Sequence, residues 1–259
     1  MQEQAIDPTA ARIVTGSEGL EEGSTDIEVD GQAVPLYWAR PAGQSNPPVL
    51  LVISEIFGVH RYIADVARRY AHQGYLAVAP SLFVRQGDPG KIANITRILN
   101  EIVAITPDAQ VMADLDACVA WAGRQGGDTA RLGITGWCWG GRIAWLYAAH
   151  NPSVKAGVAW YGKLVGQTTP IKPRNPVHIA DTLTVPVLGL YGARDDGIPM
   201  ATISSMEAGL ARGASGSSFV IYPHAGHAFH ADYRPSYVPQ AAADGFARSL
   251  EWLKSHGAA

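Results

Sequence analysis

Two periodicities alternate along the chain. Nearly unbroken apolar runs at 47–54, 75–80, 131–136, 154–161, 185–191 and 217–222 have the length and β-branched content of buried strands. Between and after them, apolar residues recur every three to four positions. That spacing predicts helices over 60–72, about 92–103, 107–124, 140–150, 198–211 and 238–255, with Asn151-Pro152 stopping the fourth. Ahead of this region, 26–29 and 33–38 flank Asp30-Gly31, a hairpin signal. Residues 1–25 are polar and Gly-rich, with Glu18, Glu21 and Glu22, and read as an arm lying on the surface or partly disordered. Strands and helices alternate from residue 47 onward, which predicts an α/β fold: a mostly parallel central sheet with helices on both faces. No repeat or linker divides the chain, so 26–259 is expected to form one domain.

Composition narrows the functional classes. Of 259 residues, 47% are hydrophobic and 17% charged, and the net charge is -3, so nothing draws the chain to nucleic acid. The longest apolar stretch, 49–53, is too short to span a bilayer, and residues 1–12 lack the basic start and apolar core of a signal peptide. Two cysteines, Cys118 and Cys138, form no CxxC pair, and Cys118 lies in a helical pattern. A cytoplasmic protein is expected, acting as a monomer or homodimer on a small molecule, without membrane, metal or cofactor.

The chemistry concentrates at Gly136-Trp137-Cys138-Trp139-Gly140-Gly141. A reactive residue with glycine two before and two after, between a strand and a helix, is the pattern of a nucleophile elbow, usually centred on Ser. The glycines remove side chains from a very tight turn. The helix that follows directs its N-terminal N–H groups at the sulfur, favouring thiolate. Against this stands a buried core cysteine, and the elbow needs partners to outweigh it. A thiol nucleophile needs a base, and the base an orienter. Asp195 and Asp196 follow the strand at 185–191, although either could cap a helix or shape a turn. His224, His227 and His230 follow the strand at 217–222. Their spacing by three raises a metal reading, which Pro223 and Gly226 oppose by imposing a turn. The order of nucleophile, acid and histidine, each past a strand's carboxyl end, favours a triad.

These residues resemble the dienelactone hydrolases, a cysteine-nucleophile branch of the α/β-hydrolase fold. The motifs that carry the resemblance are Glu55-Ile56-Phe57-Gly58-Val59, the elbow itself, Tyr191-Gly192-Ala193-Arg194-Asp195 and Ala225-Gly226-His227-Ala228-Phe229. The likeness covers roughly 26–255. It implies Cys138, His227 and Asp195 as the catalytic triad and Glu55 as the group that pairs with the resting thiol and takes its proton when substrate binds. It implies the backbone N–H groups of Trp139 and Ile56 as the oxyanion hole. Arg85 matches one arginine that receives the substrate carboxylate in this family. The second such arginine falls at Ala231, with Arg234 and Arg142 as candidate substitutes. Trp137, Phe57, Trp160 and Tyr161, beside the motifs, are candidates to line an aromatic pocket. The activity implied is opening of an enol lactone through a thioester. A broader esterase or thioesterase is the first alternative, and a non-catalytic thiol sensor or binding protein the second.

Overall fold

The computed structural model describes residues 13–259. Eight strands form one sheet: β1 (Leu20–Val29), β2 (Gln32–Pro41), β3 (Pro48–Ile53), β4 (Leu76–Pro80), β5 (Asp128–Trp137), β6 (Val154–Trp160), β7 (Val187–Gly192) and β8 (Ser218–Tyr222). Their order is β1-β2-β4-β3-β5-β6-β7-β8. From β4 to β8 every neighbouring pair is parallel, while β2 runs antiparallel to β4 and β1 antiparallel to β2. The helices are α1 (Arg61–Ala71), α2 (Ile95–Ile98, continued by a π-turn over Leu99–Val103), α3 (Asp108–Arg124), α4 (Trp139–His150), α5 (Met200–Leu210) and α6 (Pro239–Ser255). This is the single-domain α/β architecture that the alternating periodicities predict.

The sheet is buried because its central strands are apolar on both sides. All six residues of β3 and all five of β4 are buried, and each large aliphatic there contributes about 1.5–3 kcal/mol relative to exposure. On β5 the two-residue period separates the faces. A side chain added at Gly133 would meet Leu253 of α6, and one at Gly136 would meet the backbone of α4. Tyr70 of α1 packs on Phe246 of α6 at 4.9 Å between ring centroids and bonds Ser249 at 2.9 Å, so α1 and α6 share one face. On the other, Tyr147 of α4 bonds Asp116 of α3 at 2.9 Å.

One boundary differs from the expectation. The 20–25 stretch is not part of an arm but the first half of β1, paired with β2 from Leu20↔Pro41 onward. Its hydrophobic pattern is weak because cross-strand polar pairs support it: Glu21 with Arg40 at 2.6 Å, and Tyr37 donating to Glu22. Residues 13–16 lie along α1, where Thr15 N donates to Asp65 at 2.5 Å and Arg68 Nε to the Thr15 carbonyl at 2.9 Å. Residues 1–12 of the expected arm lie outside the described residues. Among the described residues no helix is long and apolar enough to cross a membrane.

The strand order reverses direction beside β3, because β4 lies on one side of it and β5 on the other. A crevice opens at the carboxyl ends of the strands at such a point. Ile53 pairs with Gly136, so the turns after β3 and β5 leave the sheet side by side.

Candidate active site

Cys138 occupies the turn between β5 and α4 with φ 55° and ψ −114°, a backbone conformation that L-residues rarely adopt. The surrounding glycines permit it. A Cβ on Gly136 would stand 2.2 Å from the Gly140 carbonyl oxygen, and one on Gly140 2.3 Å from that of Ile53. The Cys138 N–H donates to the Trp160 carbonyl at 3.0 Å, and its own carbonyl accepts from Gly141 and Arg142 at 3.1 and 3.2 Å. The thiol is thereby raised half-buried at the start of α4.

His227 Nε2 lies 3.2 Å from Cys138 Sγ, and His227 Nδ1 lies 2.7 Å from Asp195 Oδ2. The Asp195 carboxylate is buried, and its Oδ1 accepts from the Gly197 N–H at 2.9 Å. The turns after β7 and β8 are laced together. Ala193 N donates to the Tyr222 carbonyl at 3.0 Å and Arg194 N to that of Ala225 at 2.9 Å. Burial opposes a charged His227 ring, but the Cys138 sulfur and the Asp195 carboxylate outweigh it and push the pKa up to about 10. Asp196 is exposed. The three histidines diverge: His224 is exposed beside Arg194, and His230 is buried against Tyr62 and Trp160. Among the described residues no group of three or more His, Cys, Asp or Glu side chains could hold a metal.

A cavity of about 380 Å³ opens over the thiol, lined by Ile56, Leu99, Val103, Trp139, Tyr161 and Ile198 together with Cys138 and His227. The amide N–H groups of Trp139 and Ile56 meet no acceptor among the described residues, so two donors stand available at its wall. Glu55 is fully buried; its Oε2 accepts from Tyr233, and its Oε1 has no hydrogen-bond partner among the described residues. No hydrogen bond joins Glu55 to Cys138, whose sulfur lies on His227 instead. The Tyr161 phenol is pushed well above its ordinary range by burial, then by Tyr62, Glu55, Tyr233 and Cys138, so Glu55 and Cys138 both act on that ring.

The other expected substrate contacts divide. Tyr161 lines the cavity; Arg85, Trp137, Trp160 and Phe57 do not. Arg85 Nη1 is held by the buried Asp114 at 2.7 Å, and its Nη2 donates to the Val29 carbonyl at 3.3 Å. Trp137 and Trp160 are fully buried and stack at 5.8 Å. The strand period turns Trp137 away from the α4 side, although Cys138 is its neighbour in sequence. Phe57 belongs to a separate cavity and lies under Arg234 at 5.9 Å. Arg142 does line the site, but Asp108 binds both of its terminal nitrogens at 2.7 and 2.8 Å. Ala231 is buried. Sequence reasoning missed Tyr233, the partner of Glu55, and Lys163, Gln167, Lys172 and Asn175, which line the cavity from the stretch between β6 and α5. That stretch has no apolar period to mark it, and its lysines look like any solvated lysines.

Known proteins resemble this chain in sequence and in fold. The model of the dienelactone hydrolase family matches residues 34–257. A protein of Methylorubrum extorquens, provisionally named carboxymethylenebutenolidase, is 54% identical over 258 residues, covering 98% of this chain and 89% of its own. An Escherichia coli K12 protein with the same provisional name is 51% identical over 255 residues, covering 98% of this chain and 94% of its own. The crystal structure of a provisionally named dienelactone hydrolase from Klebsiella pneumoniae superposes with a TM-score of 0.89 at 52% identity, covering 91% of this chain and 98% of that one.

Proposed function

The chain belongs to the dienelactone hydrolase family, and from that premise we propose that it hydrolyses enol lactones through a Cys138–His227–Asp195 triad and a thioester on Cys138. The observation that carries this reading is the continuous contact from sulfur to imidazole to carboxylate, 3.2 and 2.7 Å, at the wall of a cavity with two unpaired amides. The raised pKa of His227 favours an imidazolium beside the sulfur.

In the proposed reaction the thiolate attacks the lactone carbonyl carbon. The N–H groups of Trp139 and Ile56 donate to the oxyanion. Collapse re-forms the carbonyl and breaks the acyl C–O bond, leaving a thioester and an enolate. The enolate takes the proton of the His227 imidazolium, which leaves His227 neutral, and becomes the ketone. Neutral His227 then removes a proton from water, and the resulting hydroxide adds to the thioester carbonyl. Expulsion of the thiolate releases the acid and restores the imidazolium–thiolate pair. An enolate is a better leaving group than an alkoxide, so attack by a thiolate goes forward rather than reverting.

His227 Nε2 faces the Cys138 sulfur and accepts the thiol proton, while Oε1 of Glu55 has no hydrogen-bond partner among the described residues. We assign Glu55 the supporting role, a buried carboxylate fixed by Tyr233 that takes this proton when the thiol turns from His227. The free thiol also suits a reducing compartment such as the cytoplasm. A broader esterase reading is favoured by one observation. Arg85 is committed to Asp114, and Ala231 supplies no charge, so neither position suggested by the family resemblance offers a cation to the cavity.

The test is rapid-quench mass spectrometry with an enol lactone. An acyl adduct on Cys138 is expected, and Cys138→Ala should lose ~10³-fold or more in kcat/KM. Full activity in Cys138→Ala, or hydrolysis with no adduct on Cys138 under burst conditions, overturns the reading.

A further inference from the structure

The cavity over Cys138 has an apolar wall that the triad does not use. Leu99 and Val103, the first and last residues of the π-turn that continues α2, line it together with Ile56, Trp139 and Ile198. Side chains four residues apart on a helical turn share a face. Val103 is buried and Leu99 is exposed, so this face runs from the interior of the cavity to its mouth. The exposure of Leu99 is not a failure of the segment to pack, because Ile98 and Ile102 supply its buried side.

The mouth is apolar as well. Ile105, Val165, Ile171 and Met200 are exposed, and each stands within two residues of one that lines the cavity. The remaining exposed large apolar side chains among the described residues are Ile13 and Val14, ahead of β1, and Val84, in the separate cavity. The wall and rim are tied together. The Ala104 N–H donates to the Leu99 carbonyl at 2.7 Å, and the Thr106 hydroxyl to that of Ile102 at 2.8 Å. The Lys172 ammonium donates to the Val103 carbonyl, and the Asp108 N–H to that of Ile171 at 2.9 Å. Less ordering is therefore lost when a ligand covers this surface.

The order of strands decides which end of a substrate meets the wall. Cys138 follows β5. His227 follows β8, three strands to one side, and the α2–π segment leaves β4, two strands to the other. The leaving oxygen takes its proton from His227, so it departs on the β8 side. The acyl chain then points toward Leu99 and Val103. The cavity, about 380 Å³, is near the lower end for a ligand site, so a longer chain emerges over the rim.

We propose that Leu99 and Val103 form an acyl-chain wall that selects esters with an alkyl acyl group of medium length, such as hexanoyl, laid from Cys138 along the π-turn to the rim. This rests on the hydrolase reading of Cys138 and adds the class of substrate. Each methylene fully removed from water is worth about fourfold in affinity. The rim is open and covers only part of the chain, so about tenfold in all is expected between acetyl and hexanoyl.

The experiment compares 4-nitrophenyl hexanoate with 4-nitrophenyl acetate, which share a leaving group and differ in the acyl chain. The unaltered enzyme should have about tenfold higher kcat/KM on the hexanoate. Leu99→Ser should lower the hexanoate-to-acetate ratio about threefold or more, chiefly through KM, and Leu99→Met should keep most of it. Titration of hexanamide and acetamide into Cys138→Ala, followed by NMR, gives a readout independent of turnover. Hexanamide should bind about tenfold more tightly, and Leu99→Ser in the same background should narrow the difference. A hexanoate-to-acetate ratio near one, or equal binding of the two amides, overturns the wall. A preference that Leu99→Ser leaves intact overturns its assignment to the π-turn. Hydrolysis of both esters that persists in Cys138→Ala overturns the triad instead, and the amide titration still decides the wall.

Discussion

The turn after β3 has a cavity on each side, and each cavity holds a half-buried histidine. One, about 420 Å³, is lined by Phe57, Val59, His60, Phe83 and Val84; the other, about 380 Å³, holds Cys138 and His227. Burial disfavours charge on both rings. At His60 burial acts alone: both ring nitrogens lack hydrogen-bond partners among the described residues, and the pKa falls to about 4. At His227 the Cys138 sulfur and the Asp195 carboxylate overcome burial, and the pKa rises to about 10. The larger cavity thus contains a ring that stays neutral at pH 7, and the smaller one a ring poised to hold a proton beside a sulfur. Neither volume nor burial identifies the site; the partners that reverse the effect of burial do.

The largest break of this comparison is the removal of His227's orienting partner. Asp195→Asn should cost ~10²–10⁴ in kcat/KM, because the Nδ1 contact that fixes the tautomer is lost. His60→Gln, in the other cavity, should change kcat/KM less than about threefold, since His60 touches no reacting group. Steady-state rates on an enol lactone or aryl acetate check both. Equal losses in the two variants would make the cavities one functional unit and end the contrast.

A smaller effect is expected from narrowing each cavity. Leu99→Trp intrudes on the space above Cys138 and should raise KM about tenfold, the scale on which pocket shape discriminates. Val84→Trp fills part of the other cavity and should leave KM within about twofold. If Val84→Trp gave the larger change, substrate would have to extend across the turn after β3.

What the sequence reveals here follows from the range of each interaction. The elbow is legible because Gly136 and Gly140 answer a local need, the close approach of α4 to β3 and β5. Asp195 and His227 are legible because each follows its own strand, so the sheet carries their positions. Arg85 is not, since its partner Asp114 comes from a helix 29 residues further on. Trp137 and Trp160 stand beside motif residues, yet the strand period commits both rings to the core. Lys172 is least legible of all, because a turn closed by Thr169 and a Val103 carbonyl that accepts from its ammonium give it a place at the cavity that its surroundings in sequence do not suggest. The start of β1 is hidden for a related reason, in that polar pairs rather than alternation support it.

The finest discrimination between the two histidines is through pH and stability. A His whose folded pKa lies above its unfolded value adds stability that is complete below the unfolded value, 6.5, and is lost as pH rises through the folded one, about 10 for His227. The Tm should therefore decline between roughly pH 6.5 and 10, within the limits set by the partial exposure of the ring. Cys138→Ala removes the sulfur's share and leaves Asp195 alone, so its Tm should decline less over the same interval. His60 has the opposite sign: its folded pKa is near 4, so its neutral ring costs stability only as pH falls below 6.5. His60→Gln should therefore flatten the acid side of the profile and leave the alkaline side alone. The differences should amount to a few degrees at most. Parallel Tm profiles for the unaltered protein and Cys138→Ala above pH 6.5 would mean that the sulfur does not hold the His227 proton, and the opposed behaviour of the two rings would then have to be attributed to Asp195 alone.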